Sequence, residues 1–446
     1  MDLLEPVVQP YAWGSREAIA ELQGRPVPSP GPEAELWMGA HPSAPSGVER
    51  DGRPTTLDAV IAANPAGELG EDCARRFGGR LPFLLKVLAA SKALSIQVHP
   101  SRAQAEAGYR EESLRGLAPG DKRRNYVDDW PKPEILCALT RFEVLVGMRN
   151  PVDAARMLRT VGVPALEPFA ADLDEAADLD ATDPTDATVV VGDHSRKALA
   201  SVLGRILSWP EDGRQQLVDD VVAACERIVA DDDALSAAGA SARRAKGSLG
   251  GPYTDACAAV TRIAVDHPGD LGIVASLLLR HAVLEPGQAV FLPAGGLHAY
   301  LRGTGVELLA NSDNVVRAGL TGKHIDVPEL LKLTDPAVEV PQIPPRELGN
   351  GISVYDSPAP EFRLYQASLG ASTAALPGDG PRLVLCVDGT LVLRDAAGAT
   401  LKVGRGESCF VSASDQSVTA HGPAQAFIAT AGTGGDITHP LPVTGA

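Results

Sequence analysis

The stretch that decides the fold is Leu284–Tyr300, LEPGQAVFLPAGGLHAY. A Pro286-Gly287 turn leads into the short apolar run Ala289–Leu292. A second turn, Pro293-Ala294-Gly295, then redirects the chain, and His298 opens another apolar run. Pro and Gly supply the backbone angles that turns require, while the apolar runs between them read as strands. Working outward, Ser95-Ile96-Gln97-Val98-His99-Pro100 also reads as a strand. Side chains two apart on a strand share a face, so Ser95, Gln97 and His99 point one way and Ile96 and Val98 the other. Gln and His offer an oxygen and a nitrogen donor to a divalent cation. Taken alone, that alternation is more often a satisfied polar pair. In Lys132-Pro133-Glu134, ahead of the apolar run Ile135–Leu139, an ammonium and a carboxylate alternate in the same manner. Gln97, His99, Glu134 and His298 together make an O,N,O,N donor set.

The spacing G-x5-P-x-G-x2-H over Gly287–His298 resembles the second signature of cupin barrels, whose histidine binds metal. Six blocks, in order, resemble type I mannose-6-phosphate isomerases: YAWGS from Tyr11, AELWMGAHPSAPS from Ala34, LPFLLKVLAASKALSIQVHP from Leu81, NYVDDWPKPE from Asn125, FLPAGGLHAYL from Phe291, and ELLANSDNVVRAGLTGKH from Glu307. The resemblance implies a cupin-like jelly-roll barrel with one zinc ion per chain, bound by Gln97, His99, Glu134 and His298. It implies a reaction too, the interconversion of mannose 6-phosphate and fructose 6-phosphate through an enediol or enediolate. One departure stands out: Pro131 replaces the histidine that many members carry before Lys-Pro-Glu.

The same resemblance assigns catalysis to Glu307, Arg317 and Lys132, and phosphate binding to Lys86, Ser95 and Lys323. Each position has a plainer reading. Glu307 also reads as an ion-pair partner inside the barrel, and Arg317 as the partner of Asp313 four residues earlier. Lys132 is equally a ring-opening group or a hydrogen-bond support for Glu134. Lys86 interrupts the apolar run LPFLLKVLAA and so needs a partner or an open cleft. Tyr11, Trp13 and Trp37 read as packing residues rather than walls of a sugar cleft, and His41 as a hydrogen-bonded loop residue. Two other functions stay open: isomerisation of a related or unphosphorylated aldose, and a non-catalytic cupin-type regulator that binds sugar phosphate.

Composition narrows the field. The chain has 446 residues, 44% hydrophobic, and a formal charge of −17. That charge argues against nucleic acid as a partner, since no basic stripe exists to neutralise phosphates. A phosphate site must then rest on local cations rather than on the global field. No apolar run has the length of a membrane span, and the N-terminus lacks the features of a secretory signal. Six scattered cysteines without a CxxC pattern read as reduced packing residues. The expectation is a cytoplasmic monomer acting on a small sugar phosphate, with neither nucleic acid nor membrane as a partner.

Along the chain, residues 1–150 and 265–339 form the expected catalytic barrel, 151–264 a helical domain, and 340–446 a second, cupin-like β domain without metal ligands. The helical expectation rests on Leu199, Val202, Leu203, Ile206 and Leu207, and on Leu217, Val221, Cys225, Ile228 and Val229, both at helical spacing. Asp172–Asp193, acidic and Ala/Thr-rich, reads as a mobile loop. Aligning Gly406 with Gly287 places Ser412 where Pro293 stands and Ser417 where His298 stands, which removes the ligand from the C-terminal copy. An unrelated sandwich is the competing reading of that block.

Overall fold

A computed structural model describes residues 1–118, 120–181, 191–237, 253–370 and 372–432. Two large antiparallel sheets dominate it, one of eleven strands and one of twelve. In the first sheet, the long strand His298–Ala310 pairs with Phe83–Ala90 along one edge and with Glu134–Ala138 along the other. The run Phe83–Ala90 is buried throughout, which explains its nearly unbroken apolar sequence. Ile96–Val98 lies against both the start of that long strand and Val316–Gly319. Phe142, Val144, Leu284, Val290, Leu292 and Tyr300 pack together inside this unit.

The corner read from Pro286-Gly287 is present, with Gly287 at φ +86, a backbone region that glycine enters without Cβ strain. The strand Ala289–Leu292 follows directly. Gly406 has φ +78 and precedes the strand Ser408–Val411 by the same interval. The frame that aligns the two glycines therefore holds at the level of turn and strand.

The second sheet contains more of the N-terminus than the sequence suggested. Asp2–Glu5 pairs with Ser408–Val411, with Asp2 opposite Phe410, and also with Gly47–Arg50. The ammonium of Met1 lies 2.8 Å from Asp415. Conversely, Gln342–Ile343 remains in the first sheet, paired with Ala289 and Val290. The sheets share an apolar layer that includes Leu36, Phe83, Phe291, Tyr355, Phe410 and Phe427.

Helices cover one end of the first sheet. Asp193–Leu207 and Glu211–Ala237 fall where the helical spacing predicts, and Leu199, Val202, Leu203 and Ile206 are buried together. The acidic segment differs from its reading as a loop. Glu167–Asp180 is an α-helix, because Phe169, Ala170, Leu173 and Ala176 form one buried stripe at helical spacing. Several of its carboxylates have partners: Asp172 accepts from Arg205, and Asp180 from the backbone N–H of Ser195 at 2.7 Å. Residues 182–190 of that segment lie outside the described residues. No described helix is long and apolar enough to cross a membrane.

Candidate active site

Strand register assembles the site. His298 stands directly opposite Gln97, and Gln97 opposite Arg317. Glu134 stands opposite Leu309 on the long strand, while Trp37, Lys86 and Glu307 form one cross-strand row. Directly opposed residues on neighbouring strands project to the same face. Segments far apart in sequence therefore meet over one patch of sheet.

His99, Glu134 and His298 offer ligand atoms that all lie within 4.8 Å of one another. His99 Nε2 is 3.4 Å from Glu134 Oε1, and His298 Nε2 is 3.5 Å from Glu134 Oε2. The amide of Gln97 reaches within 3.3 Å of His298 Nε2. Donors about 2.1 Å from a tetrahedral zinc ion stand roughly 3.4 Å apart, so the observed edges suit such an ion. The histidines are prepared for this role. His99 Nδ1 donates to the carbonyl of Asn314 at 2.7 Å, and His298 Nδ1 to that of Gly296 at 3.0 Å. Each Nε2 lone pair is thereby left facing inward. His99 Nε2 and Glu134 Oε2 are buried without a hydrogen-bond partner, an arrangement that costs free energy unless a cation takes them up. Burial lowers the His99 imidazole to about 4, so it is neutral near pH 7, as a ligand must be. Burial also penalises the Glu134 charge, yet the surrounding His99, Lys132 and His298 hold its carboxyl well below the usual range. The residues fit a divalent metal.

Lys132 Nζ lies 3.3 Å from Glu134 Oε1 and also faces the cavity, so it supports the ligand and remains accessible to substrate. Lys86 is buried between two carboxylates, 3.5 Å from Glu35 and 3.6 Å from Glu307, with its ammonium 4.8 Å from the centre of the Trp37 ring. Burial and the nearby Glu134 charge raise the Glu307 carboxyl to about 7, although Lys86 pulls it down. A carboxylate with its midpoint near neutrality is suited to accepting and returning a proton.

Ser95, Gln97, Lys132, Glu134, Glu307, Arg317 and Lys323 all line one cavity of about 650 Å³, within the usual range for a small-molecule site. Asp313 pairs with His41 at 3.4 Å rather than with Arg317. Arg317 has no ion-pair partner among the described residues, and burial lowers its guanidinium. Burial and the Arg317 charge together lower the Lys323 ammonium. Two adjacent cations without a carboxylate suit an anion. Tyr11, Trp13 and Trp37, read from the sequence as packing residues, line this cavity. Sequence reasoning missed Glu35, which also accepts from Trp37 Nε1 at 2.6 Å, and Tyr300, whose buried hydroxyl sits near the Glu307 charge and makes no close hydrogen bond among the described residues. Tyr300 had a legible signal: it lies two residues beyond His298, on the same strand face.

Fold and site together define a cupin-type metalloenzyme. A family model described as phosphomannose isomerase type I, catalytic domain, matches residues 1–151. Over 420 residues the chain is 33% identical to the mannose-6-phosphate isomerase of Escherichia coli (strain K12), covering 93% of this chain and 95% of that protein. It is also 33% identical over 431 residues to the mannose-6-phosphate isomerase of Bos taurus, covering 92% and 93%. Among solved structures, a zinc-bound mannose 6-phosphate isomerase matches with TM-score 0.79 and 30% identity, over 97% of this chain and 99% of that one. The chain belongs to the type I mannose-6-phosphate isomerase family.

Proposed function

We propose that this chain interconverts mannose 6-phosphate and fructose 6-phosphate, with one zinc ion held by Gln97, His99, Glu134 and His298. The carrying observation is the meeting, around one cavity, of a metal-ligand set reached through Gln97 and Glu134, a near-neutral carboxylate, and two cations without an ion-pair partner among the described residues. Moving a proton between C1 and C2 needs a proton shuttle, stabilisation of the developing oxyanion and a grip on the distant phosphate. Bound to these four ligands, zinc supplies Lewis-acid polarisation of the sugar oxygens.

The remaining work falls to side chains. Glu307 takes the proton from one carbon and returns it to the other. Arg317, opposite the ligand Gln97, orients the sugar and with Lys323 and Ser95 holds the phosphate. Lys86, the third residue expected at the phosphate, is engaged by Glu35 and Glu307 and serves instead to steady the base. Lys132 fixes Glu134 and can protonate the ring oxygen as the sugar opens. Tyr11, Trp13 and Trp37 wall the reacting end from water.

The barrel, the helical unit and the C-terminal β unit are the domains of this reading, with Asp2–Glu5 and Gly47–Thr56 assigned to the last by their strand pairing. A cytoplasmic location agrees with six free, buried cysteines, and a monomer is the assembly expected in this reading. Purified protein should form fructose 6-phosphate from mannose 6-phosphate, and protein stripped of metal should not. Binding without product would favour a regulator. Turnover that survives complete metal removal would contradict the Lewis-acid role, and equal turnover of unphosphorylated mannose would contradict the assigned phosphate grip.

A further inference from the structure

A second cavity, about 700 Å³, is lined by Ser15, Arg16 and Glu17, where the catalytic one is lined by Tyr11–Trp13, and the two share no lining residue. Four arginines and two glutamates line it, leaving a surplus of two positive charges on a chain whose formal charge is −17. The arginines are unequally engaged. Arg262 is committed to both oxygens of Glu143, at 2.7 and 2.8 Å. Arg141 stands 3.8 Å from Glu143 and 3.9 Å from Glu285, beyond hydrogen-bond length. Among the described residues, Arg16 donates only to the neutral carbonyls of Ser29 and Pro30. Arg302 is exposed and has no hydrogen-bond or ion-pair partner among the described residues.

Arg302 is aimed there by a defect in the sheet. The pairing of His298–Ala310 with Phe142–Met148 slips between Tyr300 and Arg302, and the next residue, Gly303, has φ +136. A Cβ on Gly303 would meet the Phe142 ring at 2.7 Å, so only glycine allows this close crossing. Thr304 adds a hydroxyl beside the arginines, Thr140 adds another that already accepts from the Thr304 backbone N–H at 3.0 Å, and no aromatic ring lines the groove to stack on a base. Guanidinium groups with free donors grip phosphate in bidentate fashion, and hydroxyls with a carboxylate suit a polyol.

We propose that this groove is a second ligand site that takes a phosphorylated sugar or polyol, with its phosphate on Arg302, Arg141 and Arg16 and its hydroxyls on Thr140, Thr304 and Glu17. The site lies outside the isomerase chemistry, on the same strand that carries His298 and Glu307. Calorimetric titration of the zinc-loaded full chain with glucose 1,6-bisphosphate tests it, because esterification at C1 prevents ring opening and turnover. Two binding events are expected. Arg302→Ala should weaken one of them roughly tenfold, as loss of a charge-assisted contact does, and Arg302→Ala with Arg141→Ala should abolish it. Both variants should keep kcat/KM for mannose 6-phosphate, which also reports intact folding. Lys323→Ala should weaken the other event alone. The proposal is overturned if no event depends on Arg302 and Arg141, or if the single event observed is the one that Lys323→Ala weakens.

Discussion

Lys86 Nζ lies 3.6 Å from Glu307 Oε2, the two residues standing directly opposite each other on neighbouring strands at the bottom of the catalytic cavity. With Glu35 on its other side, the lysine shares one positive charge between two carboxylates that are themselves buried. Such a cluster has less positive charge than its carboxylates require. That shortage, with burial and the Glu134 charge, keeps the Glu307 carboxyl near neutrality.

Glu307 must be ionised to accept a proton, so the rate should decline as pH falls through about 7. An ion held by Glu134 offsets one source of the upward shift, so the loaded enzyme should show this acidic limb at or below that value. In Lys86→Met the two carboxylates lose their shared cation and the limb should move upward. Below it, each unit of displacement costs about tenfold in rate. A pH profile of kcat/KM for both proteins checks this; an unmoved limb would remove Lys86 from the account of the base.

Glu307→Gln keeps the shape of the side chain but abolishes its basicity. kcat should fall by roughly 10²–10⁴, the usual contribution of a positioned acid or base. KM and zinc content should change little, because the residue belongs to neither the phosphate grip nor the ligand set. Steady-state kinetics with metal analysis on the same sample would decide it.

Arg317→Ala and Lys323→Ala should each raise KM for mannose 6-phosphate by about tenfold or more, the effect of removing a charge-assisted hydrogen bond. Any slow turnover of unphosphorylated mannose should respond less to Lys323→Ala. Comparing the two substrates separates loss of phosphate contact from general damage to the cavity.

Metal removal should lower thermal stability, because His99 Nε2 and Glu134 Oε2 are left buried without partners. Zinc at 100 times its dissociation constant would stabilise the fold by about 2.7 kcal/mol. Tm measured with chelator and then with restored zinc should fall and recover. Glu134→Gln should abolish most of that zinc-dependent difference.

The ligand strands were legible because their signals are local. Alternation placed Gln97 and His99 on one face, and Pro-Gly corners announced the strand that begins at His298. Glu35 as a partner of Lys86 was not legible, since the pairing of Glu35–Met38 with Phe83–Ala90 joins segments nearly fifty residues apart and nothing local marks it. The pairing of Asp2–Glu5 with Ser408–Val411 escaped for the same reason at far greater separation. The acidic helix was misread because Asp and Ala composition masked a narrow stripe of Phe169, Leu173 and small alanines, enough to bury one face. The packing reading of Trp37 and Trp13 holds, since Trp37 is buried against Leu84 and Leu309 and Trp13 packs on the barrel core, while Tyr11 is exposed. All three also line the cavity, a neighbourhood that strand pairing creates and nothing local marks.

The most direct test of the central claim is anomalous diffraction at the zinc edge from crystals of the loaded protein. The account predicts one peak per chain, with His99 Nε2, His298 Nε2, a Glu134 oxygen and the Gln97 oxygen about 2.0–2.2 Å away. A zinc ion found elsewhere, or one that leaves Gln97, His99, Glu134 and His298 uncoordinated, would contradict it.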